Sequence, residues 1–430
     1  MRLTRAFSRS RFSSRISCMN AAVRLCHALI LLFVFCASAH ADIVFVSDEP
    51  ADVAGGRAYD EQNIYIVNPD GGALRKITDR ANEPWEVEKF LNRRPAVSAD
   101  GRRIAFVGFR TFEDPALAAT KGWNGDPWTR ALGKPLTEEL YFYGYAYYAS
   151  RWYAKALQNF NWNIYIYDIR TGKTSKASLF HWKEGDVQFI GKGRTLLYSL
   201  TAEKSSFILH TASNRRGWKQ IIYEDNQVVN PSVSPDGRHM VYQSYKDGNW
   251  EIYVLKMAES YKDRLETRLT YTTLRSELHP QWMGNSRIVF AANARAGTKY
   301  DYFMLDLAPL LDKMLGFDAR KLTEKRLTQT GGADGDLQWS EAAKLLAFVD
   351  ASQRGGGQIF SMDPFKDEPP KQLTTGRDRN RFPAWSPDGK RIAYISGMDG
   401  DPGLFVMKAD GSGAKRVSEI RAAWDAPVWF

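Results

Sequence analysis

Cysteine is missing from nearly all of this sequence. The three cysteines of the 430-residue chain, Cys18, Cys26 and Cys36, all lie within the first 41 residues. Histidine is also scarce, with six in the whole chain. The absence of cysteine after residue 41 excludes a disulfide framework there, so a packed hydrophobic core must stabilise this part of the chain.

Residues 1–41 also contain no acidic side chain. Six arginines precede the apolar run Ala28–Phe35, which is too short to cross a bilayer core of roughly 30 Å. Ala39 and Ala41 then place small residues at the −3 and −1 positions of a cleavage site. We therefore expect residues 1–41 to be a cleaved Sec-type signal peptide, with Met19 as an alternative start. Residues 42–430 are then a periplasmic protein without a transmembrane segment.

The positive charge belongs largely to that leader. The chain has 59 Lys+Arg against 49 Asp+Glu, and losing the six leader arginines leaves a mature excess of only four. No basic patch or nucleic-acid motif stands out, which argues against a nucleic-acid partner. The sequence also has no Gly-x-Ser-x-Gly, the pattern expected of a serine hydrolase of the α/β type.

One sequence unit recurs along residues 42–430. Its clearest copy runs from Phe382 to Ser396 and contains Ser-Pro-Asp-Gly followed by alternating apolar residues. Further copies begin at Arg94 and Asn230, and degraded ones at Asp186, His279 and Asp336. Proline presets the turn and glycine accepts its left-handed position, so two strands flank each turn. An Ile-Tyr or Leu-Phe strand and a Leu-Thr strand follow, giving four strands per unit, as in one propeller blade.

The ends of the mature chain match each other as parts of one such unit. Ala426–Phe430 resembles the first strand of the clearest copy, and Asp42–Ser47 resembles its second strand. We therefore expect the C-terminal strand to complete the N-terminal blade and close the ring. The sequence predicts an all-β fold: a single β-propeller of seven four-stranded blades. Six blades is the alternative, if the weakest copy, near Val187, elaborates its neighbour.

The repeated unit resembles the WD40-like repeat of the TolB-like β-propeller family. The resemblance carries Ser-Pro-Asp-Gly-Lys at Ser386–Lys390, preceded by Pro-x-Trp, and extends from about Asp42 to Phe430. It implies a propeller fold and a binding role in the cell envelope. TolB itself carries an α/β domain before its propeller, whereas this chain passes directly from signal peptide to propeller. A place in a Tol–Pal system therefore does not follow from the repeat alone.

Strand direction predicts a ligand- or partner-binding site at one mouth of the propeller channel. If each first strand runs downward, the residues just before the proline landmarks surround the top mouth. These residues are Arg94, Asp186, Asn230, His279, Asp336, Phe382 and Ala426.

A long insertion at residues 110–161 is expected to rise from this same face, between the second and third strands of its blade. It is rich in aromatic side chains, and residues 138–157 have the features of a helix. The aromatics either pack as a cap or form an exposed binding surface. The main candidates are Trp123, Trp128, Tyr143, Tyr147 and Trp152.

Catalytic groups are few, and we predict no catalytic residues. His181 and His279 lie on approaches to the mouth and are the candidate ligands for a transition metal, but two nitrogens are too few for such a site. We therefore expect no cofactor, with a divalent metal as the alternative.

The sequence thus favours a binding protein over an enzyme. We expect a monomeric periplasmic scaffold that docks a periplasmic or outer-membrane protein, or an envelope polysaccharide. The alternative is a metal-dependent polysaccharide lyase of the oligogalacturonate type.

Overall fold

The computed structural model describes most of residues 41–430. The described ranges are 41–54, 57–79, 89–111, 162–177, 183–190, 195–201, 206–212, 218–224, 228–257, 265–272, 275–293, 299–313, 317–352, 356–397 and 401–430. Residues 42–430 belong to one unit. The predicted signal peptide lies outside the described residues, apart from Ala41.

The described strands form seven antiparallel sheets, one of which also contains a parallel pair. Sheet 1 has the order β30-β1-β4-β5, with β1 Ile43–Val46, β4 Ile64–Val67, β5 Arg75–Lys76 and β30 Val428–Trp429. Sheet 2 has the order β2-β3-β6-β7-β8-β9, with β2 Glu49–Ala54, β3 Arg57–Glu61, β6 Lys89–Val97, β7 Arg103–Thr111, β8 Trp162–Asp168 and β9 Lys173–Lys176.

The other five sheets each contain four consecutive strands. Sheet 3 contains β10 Lys183–Ile190, β11 Thr195–Thr201, β12 Ser206–Ala212 and β13 Trp218–Glu224. Sheet 4 contains β14 Val228–Val233, β15 His239–Ser244, β16 Glu251–Lys256 and β17 Glu266–Arg268. Sheet 5 contains β18 Glu277–Met283, β19 Arg287–Asn293, β20 Tyr300–Asp306 and β21 Glu324–Arg326. Sheet 6 contains β22 Ala333–Ser340, β23 Leu345–Asp350, β24 Gln358–Met362 and β25 Lys371–Gln372. Sheet 7 contains β26 Arg379–Trp385, β27 Arg391–Gly397, β28 Gly403–Lys408 and β29 Lys415–Arg416.

Each sheet has one strand that contacts its counterpart in the neighbouring sheets, which places these strands on the inside of the propeller. We call them the first strands; they are β30, β6, β10, β14, β18, β22 and β26. The contacts run from β6 to β10, β14, β18, β22 and β26 in turn, and β26 contacts β30. Strand β30 pairs antiparallel with β1, joining Trp429 to Ile43 and Val428 to Val44. The predicted all-β propeller fold is therefore confirmed.

The Ser-Pro-Asp-Gly turns are fixed by their own side chains. At Ser386, the hydroxyl donates to Asp388 Oδ1 at 2.6 Å and accepts from the backbone N–H of Arg391 at 2.9 Å. Gly389 has a φ of +69°, the left-handed conformation that the sequence predicted. The same bonds recur at Ser98 and Ser234. These Ser-x-Asp-Gly turns, with alanine in place of proline at position 99, therefore set the register of the hairpins β6–β7, β14–β15 and β26–β27.

The Leu-Thr motif locks the outermost strand onto the third. Thr374 Oγ1 accepts from the backbone N–H of Ile359 at 2.8 Å and bonds to Gln358 Oε1 at 2.9 Å. Equivalent threonines accept the same backbone bond in sheets 1, 4 and 5, namely Thr78, Thr270 and Thr328. The fourth strands are only two or three residues long in these sheets, so this buried contact supplies much of their attachment.

Apolar side chains fill the spaces between successive sheets. One cluster joins Val254 of sheet 4 to Phe290 of sheet 5, and Leu310 and Ala319 close it from outside. These two residues belong to a short helix α1, Ala308–Leu311, and a 3-10 turn η1, Ala319–Lys321, between β20 and β21. No helix among the described residues is long and apolar enough to cross a membrane.

Two features of sheet 2 differ from the sequence-based expectation. The hairpin β2–β3 lies between strands of sheet 1 in sequence but joins sheet 2, where Glu61 pairs in parallel with Phe90. The predicted insertion start at residue 110 is also wrong. Strand β7 continues to Thr111 because Thr111 still pairs with Lys89 on β6.

Candidate functional site

Five predicted mouth residues share an uncommon backbone conformation. Arg94, Asp186, Asn230, His279 and Phe382 have φ values between 48° and 56°, although none is glycine. Residues other than glycine, asparagine and aspartate are uncommon in this left-handed region. The backbone conformation of Arg94, His279 and Phe382 therefore costs conformational free energy. Conformation alone does not explain their presence, which favours a role for their side chains.

The same residues lie at β-bulges within the first strands rather than in the loops before them. Strand pairing skips residues between Arg93 and Ala96 in sheet 2, and equivalent irregularities occur in sheets 3 to 7. A bulge re-aims the side chain of its extra residue, and bulges are common next to functional sites. In sheet 6 the left-handed residue is Gly335, one position before the predicted Asp336.

Residues from five neighbouring sheets form a hydrogen-bonded arc. Asp425, just before β30, accepts from the backbone N–H of Arg94 at 2.6 Å. The Arg94 guanidinium forms an ion pair with Asp186. Asp186 Oδ2 in turn accepts from Ser199 Oγ at 2.8 Å and from the backbone N–H of Asn230 at 3.2 Å. Both oxygens of the Asp186 carboxylate thus accept hydrogen bonds. Because Ser199 and Asn230 fix the carboxylate, it can hold the Arg94 guanidinium in one position.

The arc continues through Gln243, a buried residue of β15. Its Oε1 accepts from Asn230 Nδ2 at 2.8 Å and from the backbone N–H of His279 at 2.8 Å. Asn230 Nδ2 also lies 3.2 Å from His279 Nδ1. The four predicted residues from Arg94 to His279 are thus brought together, with Asp425 at one end.

The surroundings of His279 favour the neutral form of its imidazole. Burial lowers its pKa, and the nearby Arg94 charge acts in the same direction, against the opposing effect of Asp336 and Asp186. With the amide of Asn230 donating to Nδ1, the neutral ring carries its proton on Nε2, which has no hydrogen-bond partner among the described residues. A methyl group at Gly335 would lie 2.5 Å from His279 Cδ2, so the ring packs directly on that glycine.

Asp336 and Phe382 form a second group on the same mouth. Asp336 Oδ2 accepts from Arg381 Nε at 2.5 Å, which ties sheet 6 to sheet 7. The Arg381 guanidinium also lies 5.4 Å from the centre of the Phe382 ring. Ala426, the seventh predicted residue, is exposed and has no left-handed backbone. Its backbone N–H donates to Asp425 Oδ1 at 2.9 Å, so the acid before it is the residue that joins the arc.

Sequence reasoning missed Gln243, Ser199, Arg381 and Asp425. Ser199 and Gln243 lie at corresponding positions in β11 and β15. The alternation of side chains along a strand shows which residues share a face, but it does not show which residue of another sheet a polar side chain contacts. Asp425 is 331 residues from Arg94, and the strand match at Pro427 was the only signal that could have placed it.

Other predicted residues lie outside the described residues. These are His181 and the insertion aromatics Trp123, Trp128, Tyr143, Tyr147 and Trp152. Among the described residues, no group of three or more histidine, cysteine, aspartate or glutamate side chains is arranged to hold a metal ion.

Comparison with known sequences finds short local matches. A 78-residue segment is 30% identical to the Tol-Pal system protein TolB of Thioalkalivibrio sulfidiphilus and covers 18% of each chain. A 55-residue segment is 44% identical to TolB of Anaeromyxobacter dehalogenans and covers 13% of each chain. A third segment, of 57 residues, is 37% identical to the uncharacterized peptidase YuxL of Bacillus subtilis, covering 13% of this chain and 9% of that protein. No protein-family model matches the chain.

Two solved structures share the fold over most of this chain. The oligogalacturonate lyase of Vibrio parahaemolyticus aligns with a TM-score of 0.53 and 10% identity, over 86% of this chain and 94% of the lyase. A puromycin-hydrolyzing peptidase of Mycobacterium tuberculosis aligns with a TM-score of 0.55 and 10% identity, over 89% of this chain and 52% of that one. At this identity the likeness defines the fold alone.

The chain is therefore a β-propeller in which residues of neighbouring inner strands form a polar, hydrogen-bonded arc. In local sequence this propeller is similar to TolB, which confirms the resemblance carried by its repeats. The matched segments span less than a fifth of the curated relatives' own lengths.

Proposed function

We propose that this protein is a periplasmic binding propeller that docks a protein or an envelope glycan at its channel mouth. The arc from Arg94 to His279 is the observation that carries the proposal. Left-handed residues at the mouth are held by a chain of partly buried and exposed hydrogen bonds, so a partner would meet a surface that is already ordered. Arg94 keeps a side chain that is 59% exposed, and His279 keeps a donor on Nε2.

A loss-of-contact variant tests this proposal. We expect an R94A/H279A double variant of the tagged mature protein to lose an envelope partner that the wild-type protein captures from cell extract. Arg238 is the matched control, because its exposed side chain lies at the Ser-Pro-Asp-Gly turn, at the opposite end of the first strand from Asn230. An R238A variant should capture as wild type does. Equal capture by all three proteins would contradict docking at the mouth.

We further propose that each of the seven sheets is one blade and that β30 closes the ring. Support comes from the separate four-stranded sheet β10–β13, which the six-blade alternative would merge with a neighbour. The pairing of β30 with β1 supports closure. Removing residues 428–430 should then expose the inner edge of sheet 1 and lower the unfolding midpoint in urea; an unchanged midpoint would contradict closure by β30.

The proposed location rests on the leader pattern of residues 1–41 and on the name that two relatives carry, Tol-Pal system protein TolB. Cell fractionation followed by N-terminal sequencing tests it. A periplasmic protein that begins at Asp42 is the expected result. Retention of the leader on a cytoplasmic protein would contradict it.

A metal-dependent polysaccharide lyase is the alternative function, and His181 and His279 would be its candidate ligands. The shared fold with an oligogalacturonate lyase motivates it. Elemental analysis of the purified protein separates the two proposals. The binding proposal expects no stoichiometric transition metal, whereas one bound metal per chain, lost in a H279A variant, would favour the lyase.

A further inference from the structure

A cleft of about 570 Å³ lies between sheets 5 and 6, beside the channel mouth. Its wall includes one ring residue of the mouth, His279, and its apolar backing comes from Leu278, Ala291, Ala333 and Ala351. This volume suits a compact organic molecule, because small-ligand pockets range from about 300 to 1,000 Å³.

Polar side chains line the rest of this cleft. Lys299, Tyr300, Thr330 and Ser352 face it together with His279. Thr330 Oγ1 accepts from the backbone N–H of Gly332 at 3.4 Å, so its own proton is free to donate. The Nε2 proton of neutral His279 is equally free among the described residues.

None of the described residues that line the cleft carries a carboxylate. Two buried acids that are adjacent in sequence to lining residues already have partners within the protein. Asp301 pairs with Arg326 Nη2 at 2.6 Å, and Asp350 Oδ1 accepts from both the backbone N–H and the hydroxyl of Ser352, at 2.9 and 2.5 Å. The Ser352 oxygen, having given its proton to Asp350, can only accept a further bond from a ligand.

Lys299 is the one cationic side chain among the described lining residues, and it has no ion-pair partner among them. Its aliphatic stem packs on Gly331, whose φ is +69°. A methyl group added there would lie 3.1 Å from Lys299 Cβ and 3.2 Å from its Cδ. The glycine therefore lets the stem lie flat along the cleft wall.

Three backbone N–H groups of the cleft already donate within the protein, so they are not available to bind a peptide. The backbone N–H groups of Gly331, Gly332 and Ser352 donate to Asp301, Thr330 and Asp350, respectively. Peptide recognition by added strands or by main-chain nests needs such groups unpaired. Side-chain donors around a lysine instead suit a ligand that carries its own hydroxyl groups and one negative charge.

We propose that the cleft between sheets 5 and 6 binds a small hydroxylated carboxylate, with Lys299 pairing with the carboxylate and Thr330, Ser352 and His279 contacting hydroxyl groups. This site goes beyond the docking of a macromolecular partner and does not depend on it. It is tested with the purified chain alone, so its failure leaves the docking proposal untouched.

Gluconate and sorbitol are the matched probes, because they share a hydroxylated carbon chain and differ in the carboxylate. We expect calorimetric titration of the whole mature protein at low salt to show saturable binding of gluconate, at least tenfold tighter than sorbitol. A dissociation constant for gluconate weaker than about 10 mM, or equal affinities for the two probes, would overturn the proposal.

Two substitutions of opposite effect identify the site. K299A should weaken gluconate binding about tenfold or more, and D350N should strengthen it two- to fivefold by removing a negative charge next to the cleft. K325A is the matched control, since Lys325 lies on the outer strand β21 and pairs with Asp367. If K299A binds gluconate as wild type does, or if K325A weakens it equally, gluconate binds elsewhere and the proposal is wrong.

Discussion

The side-chain oxygen of Gln243 lies 2.8 Å from the backbone nitrogen of His279 and joins sheet 4 to sheet 5 at the channel mouth. The same oxygen accepts from Asn230 Nδ2, so one buried amide positions two predicted site residues. Asn230 and His279 are therefore coupled through Gln243, and a substitution of this buried residue should change the positions of both side chains.

Replacing Gln243 with leucine should lower the free energy of unfolding by about 1–3 kcal/mol. The substitution keeps the volume but leaves the partly buried N–H of His279 and the amide of Asn230 without their acceptor. Urea unfolding measures the change. Q372L on the exposed strand β25 is the control and should cost less than about 0.5 kcal/mol. Equal effects at the two positions would show that the Gln243 bonds add nothing.

Gly335 should tolerate alanine less well than another left-handed glycine. Gly335 and Gly248 have φ values of +93° and +88°, but only at Gly335 would a methyl group meet the His279 ring. Both G335A and G248A incur the conformational cost of roughly 1–3 kcal/mol. We expect G335A to lose more stability than G248A and to shift the His279 ring resonances in NMR spectra, whereas G248A leaves them in place. Identical spectra and stabilities would contradict the packing of the ring on this glycine.

Glu277 should make stability depend on pH near neutrality. Burial, together with the charge of Glu251, raises its pKa from 4.5 to about 7, against the effects of Arg275 and Thr272. Because the folded pKa exceeds the unfolded one, this contribution is complete below about pH 4.5 and is lost as the pH rises through 7. Relative to E277Q, the wild-type protein should therefore lose up to about 3 kcal/mol of stability between pH 4 and pH 8.

Unfolding of both proteins across this pH range tests the Glu277 prediction. The Glu277 Oε2 atom is buried and has no hydrogen-bond partner among the described residues, so no further contact offsets the charge. E368Q, at an exposed loop position, should follow the wild-type curve. A constant difference between wild type and E277Q at every pH would refute the raised pKa.

Thr374 should matter far more than its neighbour Thr375. Its hydroxyl makes two buried hydrogen bonds that attach the two-residue strand β25, whereas Thr375 is exposed. T374V should cost about 1–3 kcal/mol and speed amide hydrogen exchange at Leu373, whose backbone N–H donates to the Ile359 carbonyl at 2.8 Å, and T375V should do neither. If T374V exchanges at the wild-type rate, the Thr374 hydroxyl does not attach strand β25.

Much of the fold could be predicted from local sequence. Ser386, Asp388 and Gly389 form a turn whose bonds are all made within six residues, so the motif determines the local structure without help from the rest of the chain. The match between Trp429 and Trp385 located the strand that pairs with β1, because repeats place equivalent residues in equivalent strands.

The other features of the fold and of the site depend on contacts between residues far apart in sequence, which local sequence patterns do not predict. The β2–β3 hairpin joins sheet 2 through one pairing, Glu61 with Phe90, and alternation in β2 and β3 does not specify which sheet receives them. The site residue Asp425 was missed for the same reason, since its bond to Arg94 crosses almost the full length of the chain. Strand parity grouped Arg94, Asp186, Asn230 and His279, which the structure joins by hydrogen bonds, but it did not predict the buried layer behind them.

Site-specific photocrosslinking tests the central claim, that a partner docks on the channel mouth, most directly. A photoreactive phenylalanine analogue replaces Phe382 at the mouth or, as control, Phe365. Phe365 is 48% exposed in the loop after β24, next to Trp339 at the other end of the sheet. In living cells, a defined adduct with an envelope component at position 382, absent at 365, is the predicted result. Adducts at 365 alone, or none at 382 while the protein is folded and exported, would contradict the account.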